Sequence, residues 1–130
     1  MQQLIIDRKK WRTGGDSVEL RRLKGPTSLY NDMGYSCCLG FYCRKIGGIR
    51  NNVLLDVGSP ENLNIKDFTK IELLVSRNSR DEVYDGSVFS QEAIDINDDD
   101  SLSNEEREAD IIEHFKKVDI EVIFKNKYPE

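Results

Sequence analysis

Oxygen-bearing side chains between Asp95 and Glu106 have nearly the spacing of a calcium-binding loop. Counted from Asp95, Asn97 and Asp99 fall at the third and fifth positions, and Glu106 falls at the twelfth, where a bidentate carboxylate completes an oxygen shell. The sixth position is Asp100, although the sharp turn there normally requires glycine. The helix entering the loop is also predicted to be too short. Calcium binding therefore stays an alternative rather than the leading interpretation.

The same segment provides the leading prediction of a site, which is a docking surface made of carboxylates. Its residues are Asp95, Asp98, Asp99, Asp100, Glu105 and Glu106. Concentrated negative charge attracts a basic surface over a long distance and raises the rate of association. The structural alternative is an acidic approach to a helix, which the positive end of the helix dipole and a Ser103–Glu106 capping box stabilise.

All three cysteines lie within residues 37–43, and the chain has a single histidine, His114. Adjacent thiols on one helix cannot form a disulfide framework, and three such sulfurs cannot converge on one zinc ion unless the helix unwinds. We therefore predict that Cys38 and Cys43 are small buried hydrophobes, that Cys37 is more exposed, and that His114 lies on the polar side of its helix. We expect neither an enzyme nor a bound cofactor.

Arginines offer a second form of the ligand-binding alternative. Arg21, Arg22 and Arg44 could hold the phosphate of a small molecule or signalling nucleotide. The basic string at residues 8–12 belongs to no recognised nucleic-acid module, so we do not expect direct binding to nucleic acid.

Two helices should position these residues. Residues 36–46 are apolar on nearly all sides, which predicts an internal helix that Ser36 caps and Gly47-Gly48 ends. Residues 103–118 form the clearest amphipathic pattern in the chain, with Phe115 on the apolar face.

Short apolar segments near both ends of the chain predict strands at 3–7 and 120–124. We expect one α+β domain over residues 1–130, in which these strands join a small, mainly antiparallel sheet covered by the two helices. Weaker patterns predict an extended segment at 18–23, helical turns at 53–57 and 90–94, a strand at 71–75 and a loop at 76–86.

Composition and charge limit the possible protein classes. The chain has 130 residues and no apolar run of the roughly 18 residues that a membrane span needs, so we expect no membrane association. Unpaired cysteines fit a reducing compartment and predict a cytoplasmic protein. Residues 1–50 carry ten Lys/Arg against four Asp/Glu, a net charge of +6, whereas residues 51–130 carry nine against twenty, a net charge of −11. The oppositely charged halves can simply attract each other within one domain, and the sharper interpretation is a bipolar surface.

Several short motifs resemble a family of small uncharacterised proteins that tailed bacteriophages and prophages encode. The motifs are the basic string ending in Trp11-Arg12, Cys37-Cys38-Leu39-Gly40-Phe41, Asn97-Asp98-Asp99, Glu106-Arg107-Glu108 and the segment from Phe115 to Phe124. The resemblance implies no catalytic residues. It implies a non-enzymatic accessory protein in the host cytoplasm that binds, and in a sharper form inhibits, a host or defence protein through its acidic surface. The sequence does not identify the target or the oligomeric state.

Overall fold

The computed structural model of the protein describes residues 2–15, 17–63 and 86–128, with only the backbone described at residues 61, 86 and 87. The elements in chain order are β1 (Gln2–Asp7), α1 (Val18–Lys24), α2 (Cys38–Lys45), α3 (Asn51–Leu54), a 3₁₀ turn (Pro60–Asn62), α4 (Gly86–Asp98), α5 (Asn104–Lys116) and β2 (Ile120–Lys125). The predicted α+β class is confirmed. The strand predicted at 71–75 and most of the loop predicted at 76–86 lie outside the described residues.

The strands from the two ends of the chain pair with each other, as predicted, but they run parallel. Gln2 pairs with Ile120 and Asp7 pairs with Lys125. The prediction of an antiparallel sheet was wrong because alternation of apolar residues is the same for either strand direction. Between α5 and β2 the chain turns at Asp119, which adopts a left-handed conformation with φ of 64°.

One face of this sheet forms part of the core. Leu4 and Ile6 of β1 and Ile120 and Val122 of β2 are buried, because alternate residues of a strand point to the same side. Helix α2 packs on β1, and helix α5 packs on β2. The two helices predicted to cover the sheet therefore do so.

Helix α2 is internal, as its apolar circumference predicted. Its residues from Cys38 to Cys43 are all buried. Gly40 permits a close backbone approach, since a Cβ there would lie 1.8 Å from the carbonyl oxygen of Leu29. Two details of the prediction were wrong: the N-cap is Cys37 instead of Ser36, and Cys37 is buried with 2% exposure. Gly48 supplies the predicted left-handed stop, with φ of 67°.

Helix α1 replaces the extended segment predicted at 18–23. The Ser17 hydroxyl accepts a 3.3 Å hydrogen bond from the Leu20 backbone N–H and so caps the first turn. Gly25, with φ of 79°, ends the helix and donates its N–H to the Arg21 carbonyl. The helix buries none of its side chains. It therefore lacks the buried apolar face whose spacing would have predicted a helix.

Helix α4 is much longer than the helical turn predicted at 90–94, and it covers one side of α5. Phe89, Ala93 and Asn97 form its buried stripe at a spacing of four residues. This packing buries His114 of α5, which has 4% exposure, so its predicted place on the surface was wrong. The His114 ring stacks on Phe89 with centroids 4.2 Å apart, and its Nε2 lies 2.9 Å from the Phe89 carbonyl oxygen.

Helix α5 begins as predicted with a complete capping box. The Ser103 hydroxyl accepts from the Glu106 N–H, and the Glu106 carboxylate accepts from the Ser103 N–H. Among the described residues, no helix is both long and apolar enough to cross a bilayer.

Candidate functional site

The predicted carboxylates gather around the connection between α4 and α5, which we call the acidic turn (residues 95–106). Asp95, Asp100, Glu105 and Glu106 are exposed, and Asp98 and Asp99 are partly exposed. The end of one helix, a short loop and the first turn of the next helix together carry all six groups. The structure therefore brings the predicted docking residues into one region of the surface.

Arg107 holds the backbone of the acidic turn from inside. It has 4% exposure, and its Nη2 donates to the carbonyl oxygens of Asp99 at 2.6 Å and Leu102 at 3.2 Å. Its Nη1 donates to the Asn104 side chain at 3.0 Å. These bonds fix the loop that separates the two helices, because a guanidinium presents its donors in a rigid plane. No sequence pattern predicted this role for Arg107, because a charged residue in an acidic helix is normally exposed to solvent.

Asn97 connects α4 to the rest of the core through all four hydrogen bonds that its amide can make. Its Oδ1 accepts from the Trp11 indole at 2.7 Å and from the Cys38 backbone N–H at 3.0 Å. Its Nδ2 donates to the Arg12 carbonyl oxygen and to Asp98 Oδ1, both at 2.9 Å. Asn97 is fully buried. It therefore anchors the acidic turn and does not belong to its surface.

Asp100 fastens the turn to the loop that follows Trp11. Its Oδ1 accepts a 2.7 Å hydrogen bond from the Gly15 N–H, and a Cβ at Gly15 would lie 2.7 Å from Asp100 Oδ2. On the inner side of the same loop, the fully buried Arg12 donates to the carbonyl oxygens of Thr13 at 2.9 Å and Gly15 at 3.2 Å. The acidic turn is thus attached to the body of the protein from two directions.

Local hydrogen bonds keep two of the carboxylates ionised. The hydroxyl and the backbone N–H of Ser101 lower the pKa of Asp99. The backbone N–H of Ser103 lowers the pKa of Glu106. The donors are neutral, so these bonds favour the ionised forms of Asp99 and Glu106 without cancelling their charge.

The four residues of the calcium pattern do not share one environment. Asn97 directs its oxygen at two donors in the core, whereas Asp95 is exposed and accepts from Gln91 at 2.9 Å. Asp99 and Glu106 serve the local bonds of the turn. Across residues 2–15, 17–63 and 86–128, no group of three His, Cys, Asp or Glu side chains could hold a metal ion. The entering helix is long, so that objection to the calcium pattern was wrong, but the position of Asn97 provides a stronger one.

The cysteines are packed in the core. Burial raises the pKa of Cys37 to about 11, and it raises the pKa of Cys38 and Cys43 as well. The predicted burial of Cys38 and Cys43 is confirmed. Cys38 Sγ lies 3.8 Å from the Ala93 carbonyl oxygen of α4, and His114 is engaged with Phe89. This arrangement suits packing and disfavours a thiolate nucleophile.

The basic string at residues 8–12 is largely committed to the fold. Arg8 makes a bidentate pair with Glu108 at 2.8 and 2.7 Å, and the Tyr128 hydroxyl donates to the same carboxylate. Trp11 and Arg12 are buried, which leaves only the lysines of the string exposed. The string therefore forms no extended basic patch.

The three arginines considered as phosphate ligands have separate surroundings. Arg44 lies over the rings of Phe41 and Tyr30, with its Cζ 4.9 and 5.4 Å from their centroids, and burial lowers its pKa. Arg22 is exposed on α1, and Arg21 borders a cleft whose described lining does not include the other two.

Comparison with known proteins gives no match to a family model, to a curated protein or to a solved structure.

Proposed function

We propose that the protein is a non-enzymatic binding protein whose acidic turn docks on a basic surface of a host protein. The main support for this proposal is that the turn has a fixed backbone and exposed carboxylates. Buried Arg107 and Asn97 hold its backbone, while the carboxylates at Asp95, Glu105 and Glu106 face solvent. A fixed surface loses less conformational freedom on binding than a mobile one.

The charge of the turn favours a basic partner. The hydrogen-bond donors to Asp95, Asp99, Asp100 and Glu106 are neutral groups, so these bonds leave the negative charge in place. Fields of this kind steer a positively charged partner and raise its association rate by about 10 to 10³. In the described part of the chain, the cysteines are buried and His114 is engaged with Phe89, so neither residue type offers an accessible reactive group that competes with the acidic turn.

The resemblance to tailed-phage and prophage proteins suggests the biological setting. In that setting the protein acts in the host cytoplasm as an accessory factor, and its partner is a host or defence protein that it binds and inhibits. Enzymes that handle nucleic acids carry basic grooves for phosphate, and such a groove is the kind of surface that the acidic turn fits.

A capture experiment with matched variants tests this proposal. The test variant is Asp95→Asn/Glu105→Gln. Its asparagine amide keeps an oxygen acceptor for Gln91, and Glu105 is exposed on the first turn of α5. The control is Asp110→Asn/Asp119→Asn, which removes the same charge from exposed residues outside the turn.

We expect a host protein to be retained by the wild type and by the control variant, and to be lost from the test variant. Equal losses from the two variants would mean that only total charge matters, and retention by both would remove the acidic turn as the contact.

A further inference from the structure

A second feature of the surface is an open cleft of about 420 Å³, formed by α1 and two loop segments. Arg21 comes from α1, Thr27, Ser28 and Asp32 come from the loop that follows it, and Asp56 comes from the segment after α3. Small-molecule sites commonly have volumes of about 300–1,000 Å³ and a few converging polar groups. None of the described residues that line the cleft belongs to the acidic turn.

The loop that lines the cleft is organised around one buried amide. Asn31 is fully buried, and its Nδ2 donates to the carbonyl oxygens of Lys24 at 2.7 Å and Pro26 at 3.0 Å. Its Oδ1 accepts from the backbone N–H groups of Met33 and Tyr35, both at 3.0 Å. The loop is therefore shaped before any ligand arrives.

Backbone hydrogen bonds join the two loop segments to each other. The Leu29 N–H donates to the Val57 carbonyl oxygen at 2.8 Å, and the Asp56 N–H donates to the Tyr30 carbonyl oxygen at 2.8 Å. These bonds hold Asp56 in a left-handed conformation with φ of 60°. Non-glycine residues seldom adopt this conformation, and those that do are enriched at binding sites.

Two hydroxyl groups on the cleft lack protein partners. Thr27 Oγ1 and Ser28 Oγ are buried without a hydrogen bond, and they account for two of the four such side-chain atoms among the described residues. Ser28 is only 4% exposed although it lines the cleft. Native proteins pair nearly all buried polar groups, so two adjacent exceptions at one cleft require an explanation.

We propose that this cleft binds a small zwitterion through an ammonium group at Asp32 and Asp56 and an acidic group at Arg21, with the Thr27 and Ser28 hydroxyls turning toward the bound molecule. Two carboxylates suit a cation with several N–H donors, and a guanidinium suits a carboxylate or a phosphate. This binding mode requires a change of χ1 rotamer at Thr27 and Ser28.

The test uses the full chain, labelled with ¹⁵N, and probes of defined charge. Phosphoethanolamine carries an ammonium and a phosphate, and β-alanine carries an ammonium and a carboxylate. Ethanolamine, inorganic phosphate and propionate each carry one of these charges. We expect at least one zwitterion to shift the amide signals of Thr27, Ser28 and Asp56 saturably, with a dissociation constant of about 10 mM or lower. Whether phosphoethanolamine or β-alanine binds more tightly identifies the acidic group.

Two variants separate a binding role from a structural role. Asp32→Asn/Asp56→Asn keeps the shape of the cleft, since asparagine tolerates the left-handed backbone, and we expect it to weaken zwitterion binding at least about tenfold. Thr27→Val/Ser28→Ala removes the unpartnered hydroxyls. We expect it to raise the melting temperature of the ligand-free protein and to weaken binding, whereas a purely structural role would leave the affinity unchanged.

Three results would overturn the proposal. The first is that neither zwitterion shifts these amides saturably. The second is that ethanolamine, phosphate or propionate alone binds as tightly as the zwitterions. The third is that either double variant binds the zwitterion with the affinity of the wild type.

Discussion

The indole Nε1 of Trp11 donates a 2.7 Å hydrogen bond to Oδ1 of Asn97, which lies 86 positions later in the chain. The same oxygen accepts from the first backbone N–H of α2, so one amide joins the segment after β1, the start of the buried helix and the end of α4. The position of the acidic turn follows from this connection, because Asn97 lies within the turn and fixes it to the core.

Replacement of Asn97 by alanine tests the connection. Asn97→Ala leaves the Trp11 indole and the Cys38 N–H buried without an acceptor, and each such group costs about 1–3 kcal/mol. We expect the free energy of unfolding, measured with urea, to fall by about 2–6 kcal/mol. Asp95→Ala, on the exposed side of α4, should change it by less than about 0.5 kcal/mol.

Gly40 provides a steric test of the α2 packing. A Cβ at this position would lie 1.8 Å from the Leu29 carbonyl oxygen, so the backbone must move to accept alanine. We expect Gly40→Ala to destabilise the protein by about 3 kcal/mol or more, or to prevent folding. The control is Gly58→Ala, because no atom lies within 4 Å of a Cβ there. A stable Gly40→Ala protein would contradict the close approach of α2 and residue 29.

The buried thiols should react only when the protein opens. Burial raises the pKa of Cys38 and Cys43, so both are protonated and covered in the folded state. In native protein at pH 8, we expect a thiol reagent to label both cysteines at the rate of unfolding, and to label them immediately in denaturant. Immediate labelling of native protein would show that α2 is accessible.

The Arg8–Glu108 pair predicts a pH dependence of stability. Burial raises the pKa of Glu108, but hydrogen bonds from Arg8 and Tyr128 and the charge of Arg8 outweigh it, so the folded-state pKa is lowered. A lowered carboxyl pKa contributes stability above the unfolded-state value of about 4.3, and this contribution is lost as the pH falls through the folded-state value. We expect Glu108→Gln to cost about 1–3 kcal/mol at pH 7, with a smaller difference from the wild type below about pH 4. A difference that stays constant from pH 7 to pH 3 would exclude an ionic contribution.

Local signals in the sequence predicted the elements that depend on neighbouring residues. The Ser103–Glu106 capping box located the start of α5, and the apolar circumference of residues 38–43 identified an internal helix. A short apolar segment located β1 and alternation located β2, although neither pattern could report the direction of pairing.

The remaining features depend on contacts that are distant in sequence. His114 has a polar pattern around it, and it is buried only because α4 covers that side of α5. Arg12 and Arg107 can be buried because their guanidinium groups donate hydrogen bonds to backbone carbonyl oxygens. No pattern of residues in the sequence predicts these bonds.

The composition of residues 95–106 was enough to predict an acidic surface. The anchoring role of Asn97 depends on its hydrogen bonds to Trp11, Arg12 and Cys38, which are distant in sequence.

If the acidic turn steers a basic partner, its carboxylates should set how strongly the association rate depends on salt. The partner retained in the capture experiment is mixed with wild type, Asp95→Asn/Glu105→Gln and Asp110→Asn/Asp119→Asn between about 0.05 and 0.5 M salt, over which screening shortens the reach of charges severalfold. Removing the charge of Asp95, near the C-terminal end of α4, relieves repulsion with the helix dipole. Removing the charge of Glu105, near the N-terminal end of α5, loses an attraction to the dipole. The two effects oppose each other, so stability should change little. We expect the test variant to associate more slowly and with a weaker dependence on salt, while the control variant follows the wild type. Identical rates and salt dependences for the test variant and the wild type would contradict docking through the acidic turn.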